Sequence, residues 1–129
     1  MENPKDRTYT KEHEWAKVEN DVATIGITYY AQDQLTDVVF VELPEIGKHV
    51  TQFKPAAIVE SVKSVSDVFA PLSGEVIEVN EELKDKPEIV NRDPFGKGWM
   101  LKIRIEDKGE MENLMSAEQY THYLKDIKH

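Results

Sequence analysis

Lys63 is the residue whose type and setting most directly suggest chemistry. It lies within VESVKSVSDVFAP, residues 59–71, a segment apolar enough to form strands. A lone exposed lysine is most often only a solvated charge. What this lysine does therefore depends on the residues and elements around it.

Other reactive side chains do not form a recognisable site. No cysteine is present, which excludes disulfides, thiolate metal sites and a cysteine nucleophile. No G-x-S-x-G marks a nucleophile elbow, and no glycine-rich phosphate loop occurs. We expect His13 to support the fold near Glu14. No metal site is expected, because no metal-ligand spacing such as H-x-x-x-H relates His13, His49, His122 and His129.

The alternation of apolar residues predicts a chain reversal at Lys63. Ile58 and Val62 share one parity before the lysine, whereas Val65 and Phe69 share the other parity after it. A single continuous strand would therefore turn apolar side chains to both faces of a sheet. A turn at Lys63 removes most of this conflict, although the Asn-Gly or Asp-Gly that favours tight hairpin turns is absent. The pattern thus predicts two paired strands with the lysine at their tip.

Short strands dominate the predicted secondary structure. Trp15 and Val18 fall on a strand that a turn at residues 20–21 joins to the next one. We expect Trp15, Phe40 and Trp99 in or near the core. Many short strands with regular turn signals favour a β-sandwich or a flattened barrel. The predicted strands cover residues 22–27, 38–43, 56–61, 65–70, 74–79 and 99–105.

Capping signals predict three short helices. Thr28 and Asn80 can each accept hydrogen bonds from the first turn of a helix, the two helices ending at residues 34 and 84. Ser116 and Gln119 form the capping box that precedes a helix over residues 117–126.

Composition limits the partners and the location. The 129 residues suit one domain, and 16 Lys and Arg against 25 Asp and Glu give a formal net charge of −9. No basic stripe is available to displace counterions from phosphates, so nucleic acid is not an expected partner. An acidic surface suits steering toward basic patches on other proteins. With no apolar run of bilayer-spanning length and no apolar signal core, we expect no membrane partner and a cytoplasmic protein, a mature organellar form being the alternative.

A resemblance to a known family extends well beyond Lys63. ESVKSVSD at residues 60–67 resembles the lipoyl-attachment motif of glycine cleavage system H proteins. The similarity covers nearly the whole chain in order, which makes it far more specific than a lone lysine. One departure is Thr36, where the family usually has glycine. The other matching segments are YTKEHEW (9–15), ATIGIT (23–28), VFVELP (39–44), APLSGEVIEVN (70–80), DPFGKGW (93–99) and SAEQY (116–120).

The resemblance implies a mostly-β fold, a lipoyl-domain-like flattened barrel or barrel-sandwich hybrid with short helices and a C-terminal helix. Within one carrier domain it implies an N-terminal extension over residues 1–20, a lipoyl core over about 21–106 and a C-terminal helical segment over about 107–129. Lys63 would carry lipoate in amide linkage. The protein would then be a non-catalytic carrier, since the cofactor holds the chemistry and the protein supplies placement.

The resemblance also implies roles for three acidic residues. Glu60 would be recognised by the enzyme that attaches lipoate. Glu14 and Asp67 match positions linked to a cleft in which the loaded arm folds back. Carboxylates there suit a cationic amine, and exclusion of water protects a labile group. Without the resemblance, the three residues would be interpreted as ordinary surface or strand charges.

The implied cycle has three enzymatic partners besides the lipoate-attaching enzyme. A pyridoxal-phosphate glycine decarboxylase delivers the aminomethyl group of glycine, and a tetrahydrofolate-dependent aminomethyltransferase takes it. A flavin-dependent dihydrolipoamide dehydrogenase then reoxidises the dithiol by thiol–disulfide exchange. The carrier would shuttle between these enzymes.

Three alternatives have different standing. A lipoyl donor or scaffold that passes lipoate to other enzymes needs the same attachment site, so it remains the alternative function. A biotinyl domain is disfavoured because methionines typically flank its lysine, whereas Val62 and Ser64 flank Lys63. A stand-alone enzyme is disfavoured because no cysteine and no recognisable nucleophile or metal cluster is present.

Overall fold

Two antiparallel sheets make up most of the structure, a computed structural model that describes residues 2–127. The larger sheet has six strands in the order β1-β2-β3-β9-β8-β5, and the smaller has three in the order β4-β6-β7. This arrangement confirms the predicted flattened barrel-sandwich. The strands are β1 (Thr8–Tyr9), β2 (Glu14–Glu19), β3 (Val22–Ile27), β4 (Val38–Glu42), β5 (His49–Val50), β6 (Pro55–Ser61), β7 (Val65–Phe69), β8 (Gly74–Val79) and β9 (Leu101–Ile105).

Short helices connect the strands and close the chain. They are α1 (Tyr29–Leu35), α2 (Glu82–Asp85), α3 (Ile89–Arg92), a 3-10 helix (Lys108–Asn113) and α4 (Ala117–Ile127). Among residues 2–127, no helix is both long enough and apolar enough to cross a membrane.

Two of the three predicted caps are confirmed. The Thr28 hydroxyl accepts from the backbone N–H of Ala31 at 3.2 Å. The backbone N–H of Gln119 donates to the Ser116 hydroxyl, and the Gln119 side chain accepts from the N–H of Ser116. The prediction for Asn80 is wrong. Its amide instead donates to two backbone carbonyls of the segment that leads into β9, so this side chain fixes a loop and caps no helix.

The main core lies between the two sheets. Side chains from β3, β6, β8 and β9 are fully buried there, among them Ile25, Val59, Val76 and Leu101. Each such side chain contributes about 1.5–3 kcal/mol to folding through removal of apolar area from water. The β6–β7 hairpin is therefore held by its inward-facing residues, which leaves its outward face and its tip free for other uses.

A second, aromatic cluster ties the N-terminal strands to the C-terminal helix. Tyr9 on β1, Trp15 on β2 and Tyr120 on α4 are buried together, and the rings of Tyr9 and Tyr120 stack with centroids 4.8 Å apart. Trp99 is half-buried against this cluster. The expectation that Trp15 and Trp99 lie in or near the core is thus confirmed.

The expectation that Phe40 lies in the core is wrong, because β4 contains a bulge. The register between β4 and β6 shifts between Val38 and Phe40, so Val38 and Val41 face the core. Phe40 is turned outward and is 50% exposed. Strict alternation along β4 could not reveal this extra residue.

Thr36 occupies a backbone conformation that favours glycine. Its φ is 65°, in the left-handed region, directly after α1. The amide of Asn91 on α3 donates to the Thr36 carbonyl at 2.8 Å, and the Asn91 side-chain oxygen accepts from the N–H of Val38. These bonds hold the segment between α1 and β4, although Thr36, the residue that ends α1, is not glycine.

Candidate functional site

Lys63 lies at the tip of the β6–β7 hairpin, as its sequence context predicts. Strands β6 and β7 pair in antiparallel register, with Glu60 opposite Val65. The backbone N–H of Ser61 donates to the carbonyl of Ser64 at 2.8 Å, which closes the turn. The lysine side chain is exposed and makes no hydrogen bond or ion pair within residues 2–127. A primary amine so placed is accessible to another protein from several directions.

Ser61 organises the tip, and reasoning from sequence missed it. Its hydroxyl accepts from the backbone N–H of Lys63 at 3.2 Å and from that of Ser64 at 3.0 Å. This is the local side-chain-to-backbone turn that serines form in place of Asn-Gly geometry. The position of a serine directly before the predicted reversal is the signal in the sequence that could have revealed the role of Ser61. The turn is consequently built from a side chain and needs no glycine.

A second anchor fixes the hairpin tip to the loop that follows α1. The N–H of Val62 donates to the carbonyl of Asp37 at 3.0 Å. The tip therefore does not project as a free loop, since it is hydrogen-bonded both within the hairpin, from Ser61 to Ser64, and to Asp37 in the neighbouring loop. Lys63 is presented at a defined position on a stiff support.

Acidic and apolar side chains alternate on the outward face of the smaller sheet. One row of strand partners contains Phe40, Glu60 and Val65, and the next contains Glu42, Ile58 and Asp67. Val62 and Val65, on either side of the lysine, are 67% and 65% exposed. Glu60 and Asp67 are both exposed on this face, which we name the outer face.

Glu14 has a different environment, because it is buried between the two sheets. It is 2% exposed at the start of β2, and its Oε2 accepts from the N–H of Phe69 on β7 at 3.1 Å. Its other oxygen accepts from the Thr10 hydroxyl, which in turn accepts from the N–H of Glu14. One carboxyl thus joins an edge strand of the smaller sheet to the larger sheet.

Burial raises the pKa of Glu14 to about 7. Loss of hydration disfavours the carboxylate, and the hydrogen bonds from Thr10 and Phe69 only partly compensate. The nearby Glu12 carboxylate raises the pKa further. Glu14 therefore changes charge near neutral pH, which is unusual for a glutamate.

A cavity of about 500 Å³ lies beside Glu14. Thr10 and Phe69, the residues that hydrogen-bond the buried carboxyl, are part of its wall. The remaining wall consists of Lys11, Glu12, Phe53, Asn113 and Met115. It is a partly apolar pocket with a titratable carboxyl directly behind it.

Asp67 lies two residues before Phe69 on β7, but its side chain lines a different cavity. That second cavity measures about 810 Å³ and is lined in part by Glu42 and Ile58 of the outer face. The carboxyl of Glu14 on β2 thus contacts β7, the strand of Asp67, but the Asp67 side chain does not line the cavity beside Glu14. Lys63, Glu60 and Asp67 share one hairpin, and Glu14 reaches that hairpin only at Phe69.

His13 belongs to the fold near Glu14, as expected. Its Nδ1 lies 2.8 Å from the Tyr120 hydroxyl, and burial lowers the pKa of His13 to about 4. The described residues contain no group of three His, Cys, Asp or Glu side chains placed to hold a metal ion. The fourth histidine considered from the sequence, His129, lies outside the described residues.

Comparison with known proteins gives a consistent result. The family model of the glycine cleavage H-protein matches residues 7–127. The glycine cleavage system H protein of Halothermothrix orenii is 51% identical over 127 residues, covering 98% of this chain and 99% of the relative. The protein of the same name from Thermus thermophilus is 51% identical over 125 residues, covering 97% and 98%.

The fold comparison agrees with the sequence comparison. A crystal structure of a glycine cleavage system H protein from Mycobacterium marinum superimposes with a TM-score of 0.86 at 35% identity, covering 95% of this chain and 99% of the other. With its exposed lysine at a hairpin tip, its barrel-sandwich fold and these matches over nearly its full length, the chain belongs to the glycine cleavage H-protein family, the lipoyl carriers of the glycine cleavage system.

Proposed function

We propose that this chain performs the carrier role of its family through lipoate attached by an amide bond to Lys63. The observation that carries the proposal is the exposed lysine, without a partner among the described residues, on a hydrogen-bonded hairpin tip. The site fits the group, because acylation needs an accessible amine and the tip supplies one. Once attached, lipoate supplies the disulfide and thiol chemistry that this cysteine-free chain lacks.

The chain contributes placement. The bonds made by Ser61 and the contact between Val62 and Asp37 hold the tip, so the attached arm moves about a fixed point. Glu60, three residues before the lysine on the outer face, is suited to recognition by the lipoate-attaching enzyme because it is exposed and close to the amine along β6. A stiff base and a flexible arm suit a carrier that visits several active sites.

The other partners follow from the family role and belong to this proposal. They are the glycine decarboxylase, the aminomethyltransferase and the dihydrolipoamide dehydrogenase of the glycine cleavage system. The carrier catalyses none of their steps and works with them in the cytoplasm. Alternating acidic and apolar side chains on the outer face provide a surface beside Lys63 that these enzymes could contact.

Glu14 and the cavity beside it form the resting place of the loaded arm in this proposal. A cationic amine that arrives next to Thr10 and Glu12 meets two carboxyl groups, one exposed and one buried. Its positive charge favours the carboxylate form of Glu14, and the cavity wall excludes water from the labile group. Asp67, on the strand between the tip and the cavity, adds negative charge along the path.

Intact mass and peptide mapping test the attachment. We expect a purified lipoate-attaching enzyme and free lipoate to place one adduct on Lys63. Lys63→Arg should accept none, because the guanidinium is not acylated, and should unfold at the same free energy within about 0.5 kcal/mol because the side chain is exposed.

Lys54→Arg is the matched control, since Lys54 is also exposed and lies just before β6. The Lys54→Arg protein should accept lipoate on Lys63 at the parent rate. An adduct on the Lys63→Arg protein, or glycine cleavage by that protein at the parent rate, would overturn the assignment.

A further inference from the structure

Phe53 combines an exposed ring with a strained backbone. Its φ is 63°, in the left-handed region that bulky residues rarely adopt, and its side chain is 47% exposed. Such strain persists only where the surrounding structure enforces it, and it is concentrated at binding sites. No packing of the ring into the core explains why a phenylalanine stands here.

Backbone hydrogen bonds hold Phe53 in this conformation. Its N–H donates to the carbonyl of Ala70 at 2.7 Å, and the N–H of Ala70 donates to the carbonyl of Lys54 at 2.9 Å. The N–H of Lys54 donates to the carbonyl of Thr51, which closes the turn. The turn before β6 is thereby tied to the end of β7, and the direction of the ring is set by a rigid frame.

The ring belongs to the wall of the 500 Å³ cavity beside Glu14. Phe53, Phe69 and Met115 supply apolar surface, whereas the polar and charged groups come from Thr10, Lys11, Glu12 and Asn113. An occupant with an apolar body and a cationic end would match this division. A wholly polar ligand would not match the apolar part of the wall, and two carboxyl groups, Glu12 in the wall and Glu14 behind Thr10, outnumber the single cation Lys11.

An arm attached to Lys63, when fully extended, spans nearly the length of the strand that leads from the tip to the cavity. From Ser64 to Phe69 the hairpin advances five residues, on the order of 17 Å at the rise of an antiparallel strand. An acylated lysine with an eight-carbon chain has about a dozen bonds of roughly 1.5 Å, which extend to on the order of 15 Å. The strand that leads away from the tip ends at the cavity.

We propose that Phe53 is the aromatic wall against which the lipoyl arm of Lys63 rests when it is folded back, and that its ring shields the sulfur end of the arm from water. The inference rests on the proposed attachment at Lys63. Thioether sulfur packs favourably at the edge of an aromatic ring, and the aliphatic part of the arm is removed from water by the same contact. Phe53 acts here as a positioning residue.

The test compares lipoylated parent protein with lipoylated Phe53→Gly and Phe53→Asn, all loaded by the decarboxylase with glycine. Both replacements tolerate a positive φ, so the turn should be kept while the ring is lost. Spontaneous hydrolysis converts the S–CH₂–NH₃⁺ group and one water into a thiol, formaldehyde and ammonium. We expect formaldehyde release to become about two- to tenfold faster in both variants.

Ile46→Gly is the matched control, because Ile46 is a large exposed apolar residue that lines the other cavity. Its release rate should equal that of the parent. A second readout is independent of activity: with ¹³C-labelled phenylalanine, the ring signals of Phe53 should shift on loading. They should not shift in Lys63→Arg protein treated in the same way.

The outcomes separate this inference from the proposed function. An adduct on Lys63 with unchanged release from both Phe53 variants, or with unmoved ring signals, would overturn the role of Phe53 and leave the carrier assignment standing. The absence of an adduct on Lys63 would overturn the assignment itself, and the inference with it.

Discussion

At the scale of single residues, Glu14 and Lys63 are opposites. The lysine is exposed and has no partner among residues 2–127, whereas the glutamate is 2% exposed and uses both carboxyl oxygens in hydrogen bonds. Exposure keeps the amine available for modification. Burial keeps the carboxyl close to its titration point at neutral pH, so that a nearby positive charge can decide its protonation state.

Replacement of Glu14 by Gln should change how stability depends on pH. The pKa of Glu14 is raised from about 4.5 to about 7, so its contribution to stability is complete below pH 4.5 and is lost as pH rises through 7. Gln is neutral throughout; its amide oxygen can accept from the Phe69 N–H, while its NH₂ group can donate to the Thr10 hydroxyl, which reverses the direction of that bond. The variant should therefore gain up to about 3 kcal/mol relative to the parent between pH 4.5 and pH 8. Urea unfolding at a series of pH values measures this difference.

His13 does not affect the difference in stability between the Glu14→Gln variant and the parent. Its pKa is lowered to about 4, so its own contribution to stability is lost as pH falls from about 6.5 to 4, the opposite direction. Because His13 is present in both proteins, its contribution cancels in the difference. Parallel stability curves for parent and variant would show that Glu14 has an ordinary pKa.

Some residues of the candidate site were predictable from the sequence and others were not. Lys63 was found from its motif and from the parity change around it, both of which are local in sequence. Ser61, Thr10 and Phe53 were missed, because their importance comes from a turn, a long-range carboxyl contact and a cavity wall. Nothing in the types of these residues sets them apart from other serines, threonines and phenylalanines.

At the scale of elements, a buried hydroxyl adds to the aromatic packing that attaches α4 to the sheet. The Tyr120 oxygen lies 2.8 Å from His13 Nδ1 and 2.8 Å from the Thr28 hydroxyl. One side chain on the C-terminal helix thereby connects the loop before β2 with the cap of α1. The stacked ring of Tyr9 completes the contact.

Tyr120→Phe should loosen this attachment while keeping the ring stack. Loss of the hydroxyl removes both hydrogen bonds and leaves the buried Thr28 hydroxyl and the half-buried His13 ring without this partner. We expect the free energy of unfolding to fall by about 1–3 kcal/mol. Hydrogen exchange of the α4 amides should increase more than exchange in β3, which lies in the core sheet.

Tyr123→Phe is the control on the same helix. Its hydroxyl makes one exposed bond to the carbonyl of Lys11 at 3.3 Å, so its loss should cost less than about 0.5 kcal/mol. Equal effects of the two substitutions would mean that the buried hydroxyl of Tyr120 has no special part in docking α4.

The elements were more predictable than their packing. Strands β3 and β8 match the predicted ranges to the residue, because each is a compact apolar segment bounded by turn residues. Phe40 was misplaced because a bulge inserts one residue into β4, and Asn80 was misplaced because its amide binds a distant loop. Both errors depend on pairing between segments far apart in the sequence.

At the scale of the whole molecule, the chain has a formal net charge of −9, and part of its acidic surface lies on the outer face. Three acidic residues lie on the strands of the smaller sheet, whose β6–β7 hairpin presents Lys63: Glu42 on β4, Glu60 on β6 and Asp67 on β7. A basic partner would be steered to the side on which the lysine stands, and such steering weakens as salt screens the charges.

The rate of lipoate attachment should therefore fall as ionic strength rises. We expect kcat/KM of the attaching enzyme for this carrier to drop several-fold between about 20 and 300 mM salt. Replacing Glu42 and Glu60 by Gln and Asp67 by Asn should remove most of that dependence. Steady-state kinetics at a series of salt concentrations provide the measurement.

A second triple variant controls for net charge alone. Glu19, Glu75 and Glu118 are exposed and lie on β2, β8 and α4. Their replacement by Gln removes the same three charges from other elements. Should the two triple variants show the same salt dependence, the outer face would have no special role in the encounter.

The strand lengths at the sheet margins have a consequence for solubility. The larger sheet ends in β1 and β5, which have two residues each, and one margin of the smaller sheet is the bulged strand β4. Long, flat, unpaired edges invite strand addition by other chains, and short or bulged ones do not. At the opposite margin, Glu14 occupies an amide of β7 that would otherwise be open to such pairing. These edge features disfavour edge-to-edge pairing with other chains.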